Sequence, residues 1–155
     1  MHPNQELLTR FYEAFKQRDY AGMQACYSNE ARFSDAVFVN LNCAETKAMW
    51  EMLCKNGQDL ELSYSHIWAN EEEGKARWVA HYTFSKTGKK VTNRIEASFK
   101  FKNGLIANHV DYFSFYGWAG QAMGITGLLL GWTPFFKEKV RGMARKSLAK
   151  FMNKH

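Results

Sequence analysis

The chain is read as an α+β domain, helices first and a β-meander afterwards, on three observations. Apolar side chains recur at helical spacing up to residue 55, and from residue 60 the pattern changes to long segments rich in aromatic and β-branched residues. Marked turns separate the last three of these segments. Such an order places helices against one face of an antiparallel sheet.

Each element follows from its own pattern. Leu7, Leu8, Phe11 and Phe15, with Tyr12 alongside, mark a first amphipathic helix ending at Arg18-Asp19. A short second helix is expected through Met23, Cys26 and Tyr27, and residues 32–38 read as extended. Residues 44–55 carry Met49, Trp50 and Leu53 on one side and stop at Asn56-Gly57, a helix with its breaker. Strands are expected at 60–69, 75–85, 91–102 and 105–116. Lys86-Thr87-Gly88-Lys89 and Asn103-Gly104 turn the chain between the last three, the second being a strong hairpin signal. Residues 117–132 are apolar and interrupted by glycines. Thr133 then offers an N-cap before Pro134, and Phe136, Val140, Met143, Ala144, Leu148 and Phe151 recur three and four apart, predicting a final amphipathic helix. The expected division is a domain over residues 1–116, followed over 117–155 by an apolar linker and a basic helix packed on the domain or a dimer partner.

Composition narrows the function classes. With 155 residues, 46% of them apolar and 15% aromatic, the chain can build one substantial core. Its net charge of +6 is concentrated: residues 134–155 hold seven Lys and Arg against Glu138 alone, so the rest of the chain is neutral. That distribution argues against a broad basic face for nucleic acid. Cys26, Cys43 and Cys54 form no CxxC pair and no zinc spacing with the five histidines, so they read as small core hydrophobes in a reducing compartment. Gly117, Gly120 and Gly124 do not make a GxGxxG cradle. No cofactor and no metal are expected. The N-terminal residues lack a charged leader, and the apolar run at 128–132 is too short to span a bilayer, so a cytoplasmic location is expected.

The candidate chemistry lies in residues 106–113. Side chains alternate along a strand, so His109, Asp111 and Phe113 share a face: two titratable groups beside a ring, a constellation suited to proton transfer or to a structural ion pair. Asp35, near the end of an extended segment, suits either a catalytic carboxylate or a cap on loop amides.

Several motifs resemble the SnoaL-like branch of the nuclear transport factor 2-like superfamily: the run from Leu8 to Phe15, Ala31-Arg32-Phe33-Ser34-Asp35, residues 99–106, and His109-Val110-Asp111-Tyr112-Phe113. The resemblance covers residues 5–113. It implies a cone-shaped fold, a curved sheet wrapped around the N-terminal helices to enclose a cavity, and a homodimer made through the outer sheet face. Against ketosteroid isomerase, Asp35 matches the general base, while the two oxyanion donors match Phe11 and Ala97, so steroid-type isomerisation is not expected. Against limonene-1,2-epoxide hydrolase, Asp111 matches an acidic catalytic position, but the partner arginine and aspartate match Trp78 and Ala80. The SnoaL polyketide cyclases are similar in a histidine and an aspartate that His109 and Asp111 supply.

The expectation is therefore a cavity for a small hydrophobic or aromatic molecule. His109 and Asp111 would be the acid/base pair, with Asp35 as the alternative base, and Tyr12, Trp50, Trp78, Tyr82 and Phe113 would serve as ligand contacts. Trp78, Ala80 and Tyr82 should face inward, and Trp68 is a further candidate for the wall. The alternative is a ligand-binding or protein-interaction domain without chemistry. For the basic helix, packing of its apolar stripe is expected over contact with an anionic membrane surface.

Overall fold

A computed structural model describes residues 1–154. Three helices and a strand come first: α1 (Pro3–Lys16), α2 (Tyr20–Gln24), β1 (Tyr27–Ser34) and α3 (Cys43–Asn56). Four strands follow, β2 (Glu61–Ala69), β3 (Glu73–Phe84), β4 (Lys89–Lys102) and β5 (Leu105–Tyr112), then helices α4 (Phe115–Met123), α5 (Ile125–Leu130) and α6 (Pro134–Lys154). The five strands form one sheet in the order β1-β5-β4-β3-β2. The four later strands pair antiparallel as the hairpin signals require, with Asn103 and Gly104 both at positive φ in the last turn.

β1 departs from the antiparallel expectation, because it pairs with β5 in parallel, Phe33 opposite His109. Turn signals identify only sequential neighbours, and this pairing joins segments about 75 residues apart. The chain must therefore cross from one sheet edge to the other between β1 and β2, and α3 makes that crossing. A capping box fixes its start, the Asn42 side chain accepting from Glu45 N while Glu45 accepts from Asn42 N. Leu7, Leu8, Phe11 and Phe15 of α1 and Met49, Trp50 and Cys54 of α3 are buried in a single core with Phe33, Trp78, Ile95, Phe99 and Ile106 of the sheet. The α+β arrangement expected, a sheet wrapped around N-terminal helices, is the one observed, but three helices and not one follow the sheet.

Three local differences have physical reasons. Tyr27 begins β1 rather than ending α2, which stops at Gln24. A register shift between Ser65 and Trp68, with His66 at positive φ, inverts the side-chain alternation of β2. Leu62 and Tyr64 face in before it and Ile67 and Ala69 after it, so Trp68 is turned outward and forms no wall. The last strand ends at Tyr112, not Tyr116, because the Ser114 side chain accepts from Gly117 N and starts α4.

Residues 117–132, read as a glycine-interrupted linker, fold into α4 and α5. Gly124, at φ +64°, breaks the helix between them, and a side chain on Gly127 would lie 1.9 Å from the Ala119 carbonyl oxygen. The helices can touch only because this position has no Cβ. Beyond them, α6 starts with Thr133 Oγ1 accepting from Phe136 N at 3.2 Å; Val140 is buried among α4 side chains and Leu148 in the main core. Gly127→Ala is expected to lower stability by about 2 kcal/mol or more through this backbone clash, which a thermal melt of the two proteins measures.

Candidate functional site

A chain of hydrogen bonds runs through the core and sets the site. Trp50 Nε1 donates to the Tyr27 hydroxyl at 2.8 Å, Tyr27 bonds His109 Nδ1 at 2.8 Å, and His109 Nε2 bonds Asp111 Oδ1 at 2.9 Å. Trp78 Nε1 approaches the same carboxylate oxygen at 3.5 Å. Its direction follows from the donor inventory. Since an indole nitrogen only donates, Tyr27 accepts from Trp50 and gives its own proton to His109 Nδ1. Nε2 then carries the imidazole proton and donates it to Asp111. With the proton on Nε2, each hydrogen bond of the chain has one donor and one acceptor.

The fold explains why these groups meet. Tyr27 comes from β1, Trp50 from α3, Trp78 from β3, and His109 and Asp111 from alternate positions of β5. Asp111 lies opposite Ala97, which lies opposite Ala76, so small side chains leave room for the Trp78 indole to reach across β4. Aromatic rings enclose the imidazole: Phe99 at 4.3 Å between centroids, Phe33 at 4.9 Å and Phe11 at 5.8 Å. His109 and Asp111 are both buried. Such a setting demands the pairing, because an unpaired charge there would cost several kcal/mol.

Beside this chain lies a cavity of about 360 Å³ with mostly apolar walls. Trp50, Trp78, Ala80, Tyr82, Asp111 and Phe113 reach it, so most of the expected contacts converge there. His109 does not; it stands behind Asp111. Tyr12 does not either: it is fully buried, stacked 5.5 Å from Tyr64, its hydroxyl without a protein partner among the described residues. Burial, and then the Asp111 charge, push that phenol well above its ordinary pKa, so it stays protonated. Helix α6 supplies Val140, Met143, Ala144 and Ser147 to the wall, and α4 supplies Trp118. Nothing local in the sequence marks which distant segment will cover a cavity, so these contributors emerge only from the fold, while Tyr27, a candidate partner for Asp35 or Asp111, bonds instead to His109 and Trp50.

Asp35 holds a special position. Its Oδ1 accepts from Val37 N and Phe38 N at 2.7 Å each, so it caps the loop after β1, and it also lines the cavity. Desolvation raises its pKa to about 7, with the Asp111 charge adding to the rise; the two backbone hydrogen bonds and Arg141 oppose it. Arg141 sits on α6, its Nε donating to Ala36 O at 3.0 Å and its Nη1 to Glu138 at 2.8 Å. Opposite, Trp118 Nε1 donates to the Tyr82 hydroxyl at 2.8 Å, which commits one lone pair and leaves the phenolic proton available. Tyr82 is itself raised in pKa, by burial first, and feels the Asp35 charge.

The three cysteines are free, and burial pushes the Cys26 and Cys54 thiols to about 11, which removes them as nucleophiles at neutral pH. No described helix is long and apolar enough to cross a membrane.

The model of the SnoaL-like domain family matches residues 8–109, ending just before Asp111 and leaving the C-terminal helices outside. Among solved structures, the chain is similar to IdmH, a candidate polyketide cyclase from Streptomyces antibioticus, at 16% identity and a TM-score of 0.64 over 80% of this chain and 100% of that one. It is similar to a candidate polyketide cyclase from Xanthomonas campestris pv. campestris at 18% identity, TM-score 0.64, over 77% of this chain and 96% of that one. An LEH-like epoxide hydrolase of M. tuberculosis matches at 14% identity, TM-score 0.63, over 83% and 96%. At these identities the likeness is one of fold. No curated protein sequence matches the chain significantly.

Two stability experiments probe the site. Tyr27→Phe strands Trp50 Nε1 and His109 Nδ1, and a loss of about 1–3 kcal/mol is expected by urea denaturation. Asp35 binds its proton more tightly folded than unfolded, so its contribution is full below about pH 4 and lost as pH rises toward 7. Asp35→Asn keeps both loop hydrogen bonds and removes that loss. At pH 8 it should exceed the parent protein in stability by about 2 kcal/mol, after allowance for water in the open cavity, with the gain vanishing by pH 4.

Proposed function

Because this chain belongs to the SnoaL-like domain family, we propose that it binds a small apolar or aromatic molecule bearing a carbonyl or enol and moves a proton on it. The observation that carries this reading is a carboxylate with a pKa of about 7 in the wall of an apolar cavity, beside a phenol with a proton to give. A base works best when its pKa lies near the working pH, and apolar surroundings sharpen its attraction for a proton.

In this reading Asp35 removes a proton from the carbon next to the carbonyl. The Tyr82 hydroxyl, oriented by Trp118, donates to the oxygen where negative charge develops. This places a donor on β3 where Phe11 and Ala97 provide none. Return of the proton to another carbon gives isomerisation; attack of the enolate carbon on a second carbonyl carbon breaks that C=O π bond and gives ring closure, the resulting alkoxide taking back the proton held by Asp35. Asp111 faces the same space as a second base. His109 acts through it as a positioning residue, holding Oδ1 so that Oδ2 is aimed and keeping charge in the core.

A ligand-binding domain without chemistry is the second reading, favoured by the apolar residues at Phe11 and Ala97. The two separate in one experiment. Exchange of the acidic α-protons of 2-tetralone into D₂O, followed by NMR, should be accelerated by the protein with a rate rising through about pH 7 as Asp35 ionises. Asp35→Asn should abolish the acceleration and Tyr82→Phe should reduce it about a hundredfold. Quenching of tryptophan fluorescence by the ketone without faster exchange would establish binding alone.

A further inference from the structure

The outer surface of the C-terminal helices is unlike the rest of the molecule. Ile125 is 74% exposed, Leu129 65%, Trp132 72% and Phe135 80%, all within one short stretch where α5 turns into α6. The turn is held by its own hydrogen bonds: Trp132 Nε1 donates to Leu129 O at 2.9 Å and Thr133 Oγ1 to Leu130 O at 2.6 Å. The indole thus has its polar atom satisfied and its apolar ring outside. A rigid apolar corner of this kind is not explained by the fold, which buries none of it.

Helix α6 extends directly from that corner. Its apolar stripe, including Val140, Ala144 and Leu148, faces the domain. At 100° per residue, Phe135, Lys139, Lys146 and Lys150 fall within a sector of about 60° on the opposite side, and all four are exposed. Gly142 lies at the edge of this sector with open space where a side chain would stand. Glu138, the one acid of the helix, is occupied by Arg141. An exposed aromatic and aliphatic corner therefore continues into a row of lysines.

We propose that this surface docks the protein on an anionic lipid bilayer, with Leu129, Trp132 and Phe135 entering the interface and Lys139, Lys146 and Lys150 lying against the headgroups. Charge selects the occupant. A second copy meeting the same face would bring two lysine rows together, whereas an anionic bilayer supplies the opposite sign as well as an apolar phase. Tryptophan favours the depth at which apolar chains meet headgroups, and each lysine near such a surface contributes about a fivefold gain in partitioning. The docking is independent of chemistry in the cavity.

Flotation of the full chain with vesicles tests it. The protein should float with phosphatidylcholine vesicles containing one-third phosphatidylglycerol at about 50 mM salt, be released at about 500 mM, and stay behind with phosphatidylcholine alone. Lys139→Gln/Lys146→Gln/Lys150→Gln should lower partitioning about a hundredfold, and Trp132→Ser/Phe135→Ser at least tenfold, with circular dichroism and melting temperature unchanged in both. Failure of the folded parent protein to float with anionic vesicles at low salt overturns the proposal, as does equal flotation of the lysine variant. Light scattering that shows a dimer converted to monomer by Phe135→Ser, with no vesicle binding, would assign the face to a second copy instead.

Discussion

Placing an imidazole and a carboxylate in a core of aromatic rings imposes the constraint on which this structure depends: both groups must find partners there. The chain from Trp50 through Tyr27 and His109 to Asp111, with Trp78 beside the carboxylate, meets it by drawing one residue from α3, one from β1, one from β3 and two from β5. These bonds therefore do more than satisfy donors. They tie the parallel edge strand and the crossing helix to the sheet, and they hold Oδ1 of Asp111, a residue of the cavity wall. Around them the rings of Phe11, Phe33 and Phe99 keep water out, which makes each bond stronger and each loss costlier.

The cavity inherits its electrostatics from that arrangement. Asp111 brings negative charge to one wall, Asp35 stands on another, and the apolar lining raises the second carboxylate toward neutrality. Arg141 moderates the effect from α6, the element that also closes the wall with Val140, Met143 and Ala144. The C-terminal helix is in this sense part of the site: its inward face shapes the cavity and tunes Asp35, while its outward face carries the positive charge of the molecule. One amphipathic segment thus connects the chemistry of the interior with the character of the surface.

Much of this was legible in the chain. The helical spacing of Leu7, Leu8, Phe11 and Phe15, the hairpin at Asn103-Gly104, the Thr133-Pro134 start of α6 and the common face of His109 and Asp111 are all local patterns, and local patterns persist when the chain folds. Asp35 was visible both as a cap and as a cavity carboxylate, and it is both. What was not legible involves partners remote in sequence. The parallel pairing of β1 with β5 brings Tyr27 to His109, a bulge in β2 reverses Trp68, and the glycines of residues 117–132, which read as interruptions, allow two helices to touch. Tyr12 illustrates the same limit: expected as a ligand contact, it packs against Tyr64 and Phe99 and is buried away from the cavity.

By itself, the sequence determined the kind of most elements, many of their ends, the common face of His109, Asp111 and Phe113, and the separation of a neutral body from a basic tail, because each is written in the period or the charge of neighbouring residues. Only the tertiary structure decided that His109 stands behind Asp111 rather than in the cavity, that Tyr82 keeps a proton to donate, and that the tail helix covers the wall. Those outcomes depend on which distant groups become neighbours, and burial and hydrogen bonding act on the neighbours a group has in space.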